Sequence, residues 1–215
     1  ADLYFIVAVY KNNAINTLSF VVGWIYFAAW ALSYYPQIIT NYMRKSVSGL
    51  NFDYLALNIV GFTLYSLFNL GLYFIPEVED EYFQKYPGGL NPIQENDVFN
   101  TLHATLATSL LIAQCFLYET GGQKVSTTAK AILGIFAILL SSSLIISLIN
   151  AMQWLNFLYF CSYIKLTITL IKYVPQALMN YRRKSTHGWS IGTVLLDFTG
   201  GVFSVLQMIL NAYNY

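Results

Sequence analysis

Apolar residues along this chain do not alternate with polar ones; they gather in continuous runs. Six runs approach or exceed twenty residues: 18–39, 55–75, 98–118, 129–149, 154–178 and 191–210. About 20 apolar residues in a helix cross roughly 30 Å of hydrocarbon. Unbroken apolarity at this length reads as helix rather than strand, and in lipid only helices or closed barrels satisfy their own backbone. The pattern therefore predicts six spanning helices. The apolar piece 3–10 is too short to span and reads as a strand or interfacial segment. Because the first residue is Ala1, a removed presequence or domain is expected before it.

Composition sharpens this picture. The 215 residues are 57% hydrophobic and 10% charged, against about 25% charged in ordinary soluble domains. That excludes a water-soluble enzyme, and no activated nucleophile, metal cluster or nucleotide-binding loop is present. A net charge of +1 gives no basis for nucleic-acid binding. Two His and two Cys are too few for a structural metal site or a disulfide scaffold. Cys115 and Cys161 both fall inside spans and read as small packing residues.

The basic residues orient the helices. Arg44, Lys45, Lys124, Lys130, Arg182, Arg183 and Lys184 fall on one side if the spans alternate in direction. The other side holds Lys11, Lys85 and an acidic loop with Glu77, Glu79, Asp80, Glu81 and Glu95. Cytosolic loops are enriched in Lys and Arg, so the N-terminus is expected to be lumenal or extracellular.

Residues 34–61 align without a gap with 173–200, at an offset of 139. The matches include Pro36/Pro175, Gln37/Gln176, Asn41/Asn180, Tyr42/Tyr181, Arg44/Arg183, Lys45/Lys184, Gly49/Gly188 and Gly61/Gly200. Chance likeness between apolar helices does not reproduce polar residues in loops. Both copies put the basic cluster after the same helix, so they share one orientation, as parallel repeats do in some transporters. With helices 2, 3 and 4 between the copies, this gives a three-one-three plan. The expected parts are a remnant at 1–14, repeat 1 at 15–118, a linker helix at 119–152 and repeat 2 at 153–215, whose third helix, the seventh of the plan, is absent from this chain. Proline removes a backbone donor and clashes with the carbonyl four residues earlier, so the Pro36–Gln37 and Pro175–Gln176 pairs are candidate hinges.

Ionisable groups at membrane depth are costly and usually mark a pathway. Lys165 lies near the middle of the fifth run, Lys172 two turns further on, and Asp197 about six residues into the sixth. Asn58 occupies in repeat 1 the position of Asp197 in repeat 2, and each is followed three residues on by a glycine, Gly61 or Gly200. Opposite charges in Lys165 and Asp197 favour a zwitterionic substrate over a neutral one. Tyr26, Trp30 and Tyr34 recur every four residues, so they line one helix face: either a packing stripe or an apolar wall for the substrate. Asp97 starts the third helix, as a plain cap favourable to the helix dipole or as a carboxylate that takes protons.

The two Pro-Gln motifs and the three-one-three plan resemble the PQ-loop transporter family, related to the SWEET sugar transporters. More narrowly, GWIYFAAWALSYYPQ, NDVFNTLHA, YIKLTITLIKYVPQ and KSTHGWSIGTVLLDFTGG are similar to the family's lysosomal proton-coupled cystine exporters. The resemblance covers about 18–215. It implies seven helices, a multi-pass protein of the lysosomal or vacuolar membrane with a lumenal N-terminus, and export of L-cystine to the cytosol by alternating access with a proton. No cofactor is implied beyond the coupling H+. Asn58, Lys165, Lys172, Asn180 and Asp197 would contact cystine, with Trp30, Tyr34 and Thr193 beside them, and Asp97 and Asp197 would couple to protons. Membrane lipid and a lysosomal nutrient-signalling complex are the implied partners. Thr193 departs from the family, which often has an amide there, and the family's seventh helix carries a further acidic residue. Three rival readings remain: a carrier of the same fold for another cationic or zwitterionic amino acid, a facilitative sugar carrier, which leaves the intramembrane charges unexplained, and a cargo receptor or scaffold of the same fold.

Overall fold

The computed structural model describes residues 10–87, 91–93 and 95–214. The expected N-terminal segment 3–10 therefore lies, apart from Tyr10, outside the described residues. The described helices are α1 (Asn13–Leu32), α2 (Tyr34–Arg44), α3 (Phe52–Phe74), α4 (Pro76–Lys85), α5 (Glu95–Leu117), α6 (Thr127–Leu148), α7 (Trp154–Ile171), α8 (Tyr173–Arg183) and α9 (Ile191–Asn214). The chain is an all-α polytopic membrane protein.

Two expected helices are each divided. The first run is interrupted at Ser33 and the fifth at Lys172, and in both cases proline is the third residue of the helix that follows. Ser33 (φ −61°, ψ −25°) and Lys172 (φ −58°, ψ −31°) keep right-handed helical dihedrals. The interruption therefore lies in the hydrogen-bond ladder, where proline has no N–H to give. Among the described residues five segments are long and apolar enough to span: Asn13–Arg44, Phe52–Phe74, Thr127–Leu148, Trp154–Arg183 and Ile191–Asn214. The expected third span is not one of them. α5 has the length, but its inner face is polar: Thr101, Thr108 and Gln114 are buried, while Phe99, Leu106 and Phe116 on the other side are exposed. The acidic loop, read as irregular, holds α4. Pro76 stands at its first position and Glu77 and Glu79 in its first turn, where proline and acids suit a helix start.

The chain forms two compact units, Ala1–Gln37 with Ser190–Tyr215, and Ile38–Trp189. These cut across the sequence repeats. In the first unit, α1 packs on α9 through a row of polar contacts. Lys11 N donates to Asn214 O (2.8 Å) and Asn12 N to Asn214 Oδ1 (2.9 Å). Ser19 Oγ donates to Asn211 Oδ1, and Gln207 Nε2 to Ser19 O (3.0 Å). In the second unit α3 is the hub, packed on α4, α5, α6, α7 and α8. Its contact with α7 is apolar, built from Leu57, Leu64 and Leu72 against Leu155, Leu158, Cys161, Ile164 and Ile168. Each unit thus joins the first helix of one copy to the second helix of the other.

The glutamines of the two Pro-Gln pairs make equivalent bonds. Gln37 Oε1 accepts from Ser190 N (2.7 Å), just ahead of α9. Gln176 Oε1 accepts from Asn51 N (2.8 Å), the N-cap of α3. Gln176 Nε2 also donates to Gly49 O (3.0 Å) and to Asn180 Oδ1 (3.1 Å). The loop glycines of the two copies touch: a Cβ on Gly49 would fall on the backbone of Gly188, itself at φ +90°.

These contacts set an expectation for glycine variants. Gly49→Ala should cost about 3 kcal/mol or more, because backbone rather than a movable side chain blocks the new methyl. Gly134→Ala, where nothing lies within 4 Å, should be neutral or stabilising by about 0.5–1 kcal/mol, as in any exposed helix interior. Thermal unfolding of both variants in detergent is the measurement.

Candidate functional site

α3 and α7 approach closely because Gly61 has no side chain: a Cβ there would stand 3.0 Å from Ile168 Cγ2. Residues at i, i+3, i+4 and i+7 share a helix face. That spacing brings Asn58, Gly61 and Phe62 of α3 opposite Lys165, Ile168 and Thr169 of α7, with Lys172 at the junction to α8. These seven line a partly open hollow. Its enclosed space is about 10 Å3, room for about one water molecule, so in this form it meets one substituent of a ligand rather than the whole.

The hollow is cationic. Lys172 Nζ donates to Asn58 Oδ1 (3.0 Å) and stands 5.2 Å from the Phe62 ring and 4.9 Å from the Tyr173 ring. Lys165 Nζ lies 4.0 Å from the Tyr65 ring centroid. Thr169 Oγ1 turns back to Lys165 O (2.9 Å). None of the lining residues is a carboxylate. Two ammonium groups, an amide and a hydroxyl suit an anionic group such as a carboxylate.

Of the residues singled out in the sequence, Asn58, Lys165 and Lys172 come together here. Asn180 lies eight residues past Lys172, about 12 Å along the helix at 1.5 Å per residue. It is buried, and its Oδ1 accepts from Gln176. Asp97 stands in the first turn of α5, where its backbone oxygen accepts from Asn69 Nδ2 (3.4 Å). Asn69 is eleven residues past Asn58, so Asp97 lies about 16 Å further along α3.

The remaining candidates are in the other compact unit. Trp30 Nε1 donates to the backbone oxygen of Asp197 (3.3 Å), and the indole ring occupies the space a Cβ of Gly200 would need. Trp30 is thus packed on α9, with Tyr26 edge-on to it at 5.3 Å. Tyr34 and Pro36 begin α2, and Gly192 at the start of α9 is in contact with the Pro36 ring. Thr193 is buried and its Oγ1 has no hydrogen-bond partner among the described residues. The same helix carries Asp197 one turn on.

Sequence reading missed the aromatic rings that face the lysines, Phe62 and Tyr65. Their signal was available: positions 58, 62 and 65 fall at i, i+4 and i+7, on the face that Asn58 marks.

The chain matches the family described as PQ loop repeat over 18–78 and 157–215, two stretches that begin 139 residues apart. It is similar to cystinosin of Drosophila melanogaster, with 60% identity over all of this chain and 54% of that protein. It is 52% identical to cystinosin of Bos taurus, over 96% of this chain and 56% of that protein. It is 30% identical to a cystine transporter of Saccharomyces cerevisiae, over 92% of this chain and 80% of that protein. The chain spans about half the length of the fly and cattle relatives.

The Lys172–Asn58 bond makes a test of its own. Asn58→Leu removes an acceptor from a half-buried ammonium and should cost about 1–3 kcal/mol. Asn58→Asp puts a carboxylate in the same place. It should unfold at least as hot as the parent at pH 7 and lose that advantage as pH falls below about 4, where a carboxylate is protonated. Thermal unfolding across pH measures both.

Proposed function

The chain belongs to the PQ-loop repeat family, and on that premise we propose that it carries L-cystine out of the lysosome or vacuole to the cytosol, coupled to a proton, by alternating access. The observation that carries this reading is the hollow formed by Asn58, Lys165 and Lys172. An amino-acid zwitterion presents a carboxylate, and a half-buried pair of ammonium groups meets it. A sugar gives two membrane-embedded lysines nothing to pair with, which weighs against the sugar-carrier alternative. The likeness to the yeast cystine transporter supplies the choice among zwitterions.

In this reading Lys165 and Lys172 bind substrate carboxylate, and Asn58 holds Lys172 in place. Asp197, a carboxylate within a span, and Asp97, at the start of α5, are the proposed proton carriers. Asn180, Trp30, Tyr34 and Thr193 are proposed as further substrate contacts on the strength of the resemblance. The Pro36–Gln37 and Pro175–Gln176 pairs are the proposed hinges: each proline interrupts a ladder while its glutamine stays bonded to the start of another helix.

Radiolabelled cystine uptake into proteoliposomes, with and without a pH gradient, tests the reading. Uptake driven by the gradient is expected, and uptake indifferent to it would remove proton coupling. Asp197→Asn should fold and lose the gradient-driven part. Lys165→Ala should show no thermal stabilisation by cystine, whereas Lys165→Arg keeps part of it. With Pro36→Ala and Pro175→Ala combined, cystine should still bind, but flux should fall by more than affinity does. Normal flux in that double variant would reduce the prolines to simple kinks.

A further inference from the structure

We infer that Tyr65 is a positioning residue of the substrate site: its ring face holds the Lys165 ammonium in readiness for an anionic group. The inference rests on the substrate reading of the hollow given above.

A half-buried lysine within a span is costly and ordinarily pairs with an acid. Lys165 does not: among the described residues no carboxylate lies within 4 Å of its Nζ, and its ammonium is 4.0 Å from the Tyr65 ring centroid. A ring face attracts a cation through its quadrupole, more strongly where water is excluded. The ring is itself held. Tyr65 stacks on Phe68 at 6.4 Å with 7° between the planes, and Phe68 lies 6.2 Å from Tyr159 on α7.

The choice of a ring over an acid has a chemical consequence. A carboxylate here would neutralise Lys165 and compete with any incoming anion. A π face steadies the charge without neutralising it and accepts no conventional hydrogen bond, so the N–H donors stay available to a ligand. Lys172 differs, since one of its donors already goes to Asn58 Oδ1. The repeat isolates the device. At the 139-residue offset Lys165 corresponds to Tyr26, Lys172 to Ser33 and Tyr65 to Ser204. Both cations and the ring therefore belong to the α3–α7 pair alone. Tyr65 thus biases the site toward substrates with a negative group and against purely cationic ones.

A double-mutant cycle on the purified chain in nanodiscs tests this, with L-cystine as the probe. Tyr65→Phe keeps the ring face and should bind as the parent does. Tyr65→Leu should bind roughly tenfold more weakly, a factor equal to about 1.4 kcal/mol. In a Lys165→Met background, Tyr65→Leu should cause no further change in thermal stability without ligand. Equal loss in Phe and Leu variants, or a Leu effect that persists undiminished beside Lys165→Met, overturns the proposal. If Tyr65→Leu does not fold, Tyr65→Glu replaces it: paired to Lys165, it should fold yet not bind cystine, and parental binding by that variant overturns the proposal equally. A parent chain that ignores cystine defeats the substrate reading alone; ligand-free coupling between positions 65 and 165 then still supports the ring's hold on Lys165.

Discussion

A backbone N–H at the start of a membrane helix has no partner inside its own helix, and in hydrocarbon it finds no water. This chain meets that need twice in the same way. Gln37 accepts from Ser190 N and Gln176 from Asn51 N, and both glutamines are buried. A buried donor left unpaired costs about 1–3 kcal/mol, so each second helix depends on a side chain from the other copy. The pairing of α1 with α9 and of α3 with α7 is consistent with that exchange. Each glutamine sits next to a proline that cannot donate, so the least cohesive point of the long helix adjoins the bond that anchors its neighbour.

The two helix pairs built on this exchange have diverged in chemistry. α3 and α7 meet through leucine, isoleucine and Cys161, leaving Asn58, Lys165 and Lys172 at one end of an otherwise apolar seam. α1 and α9 meet through asparagine, serine and glutamine along their length. Hydrogen bonds between membrane helices average well under 1–2 kcal/mol each. Both seams also close on a glycine, with Trp30 against Gly200 and Ile168 against Gly61, so they differ in the chemistry of the contact rather than in its closeness.

Much of this was legible in the sequence. The helical class followed from the length of the apolar runs, and the repeat from polar loop residues recurring at one offset. Lys165, Lys172 and Asn58 announced themselves as polar groups where polarity is expensive. The exchange between copies was not legible, because an internal repeat says which residues correspond but not which copy each one packs against. α4 hid behind its acids, which read as loop although Pro76, Glu77 and Glu79 suit a helix start. α5 looked like an ordinary span because its serines and threonines are small; only the burial of Thr101 and Thr108 shows that its polar side is the inner one. Tyr65 escaped because a tyrosine in an aromatic-rich chain is unremarked until a cation is found above it.

The bond from Lys11 N to Asn214 O closes a loop of about two hundred residues. Ribosomes add roughly 5–20 residues per second, so α1 enters the bilayer some ten to forty seconds before α9 exists to meet it. During that interval Asn12, Ser19 and Gly23 face lipid or a chaperone instead of their eventual partners. α3 meets α7 after a little over half that wait, and its partners α4 and α5 follow it directly. Assembly is therefore expected to be ordered in time, with residues 38–189 consolidating before α1 settles against α9. α1 is thus exposed to quality control for longer than α3, and a seam held by polar contacts is one that a waiting helix can leave and rejoin.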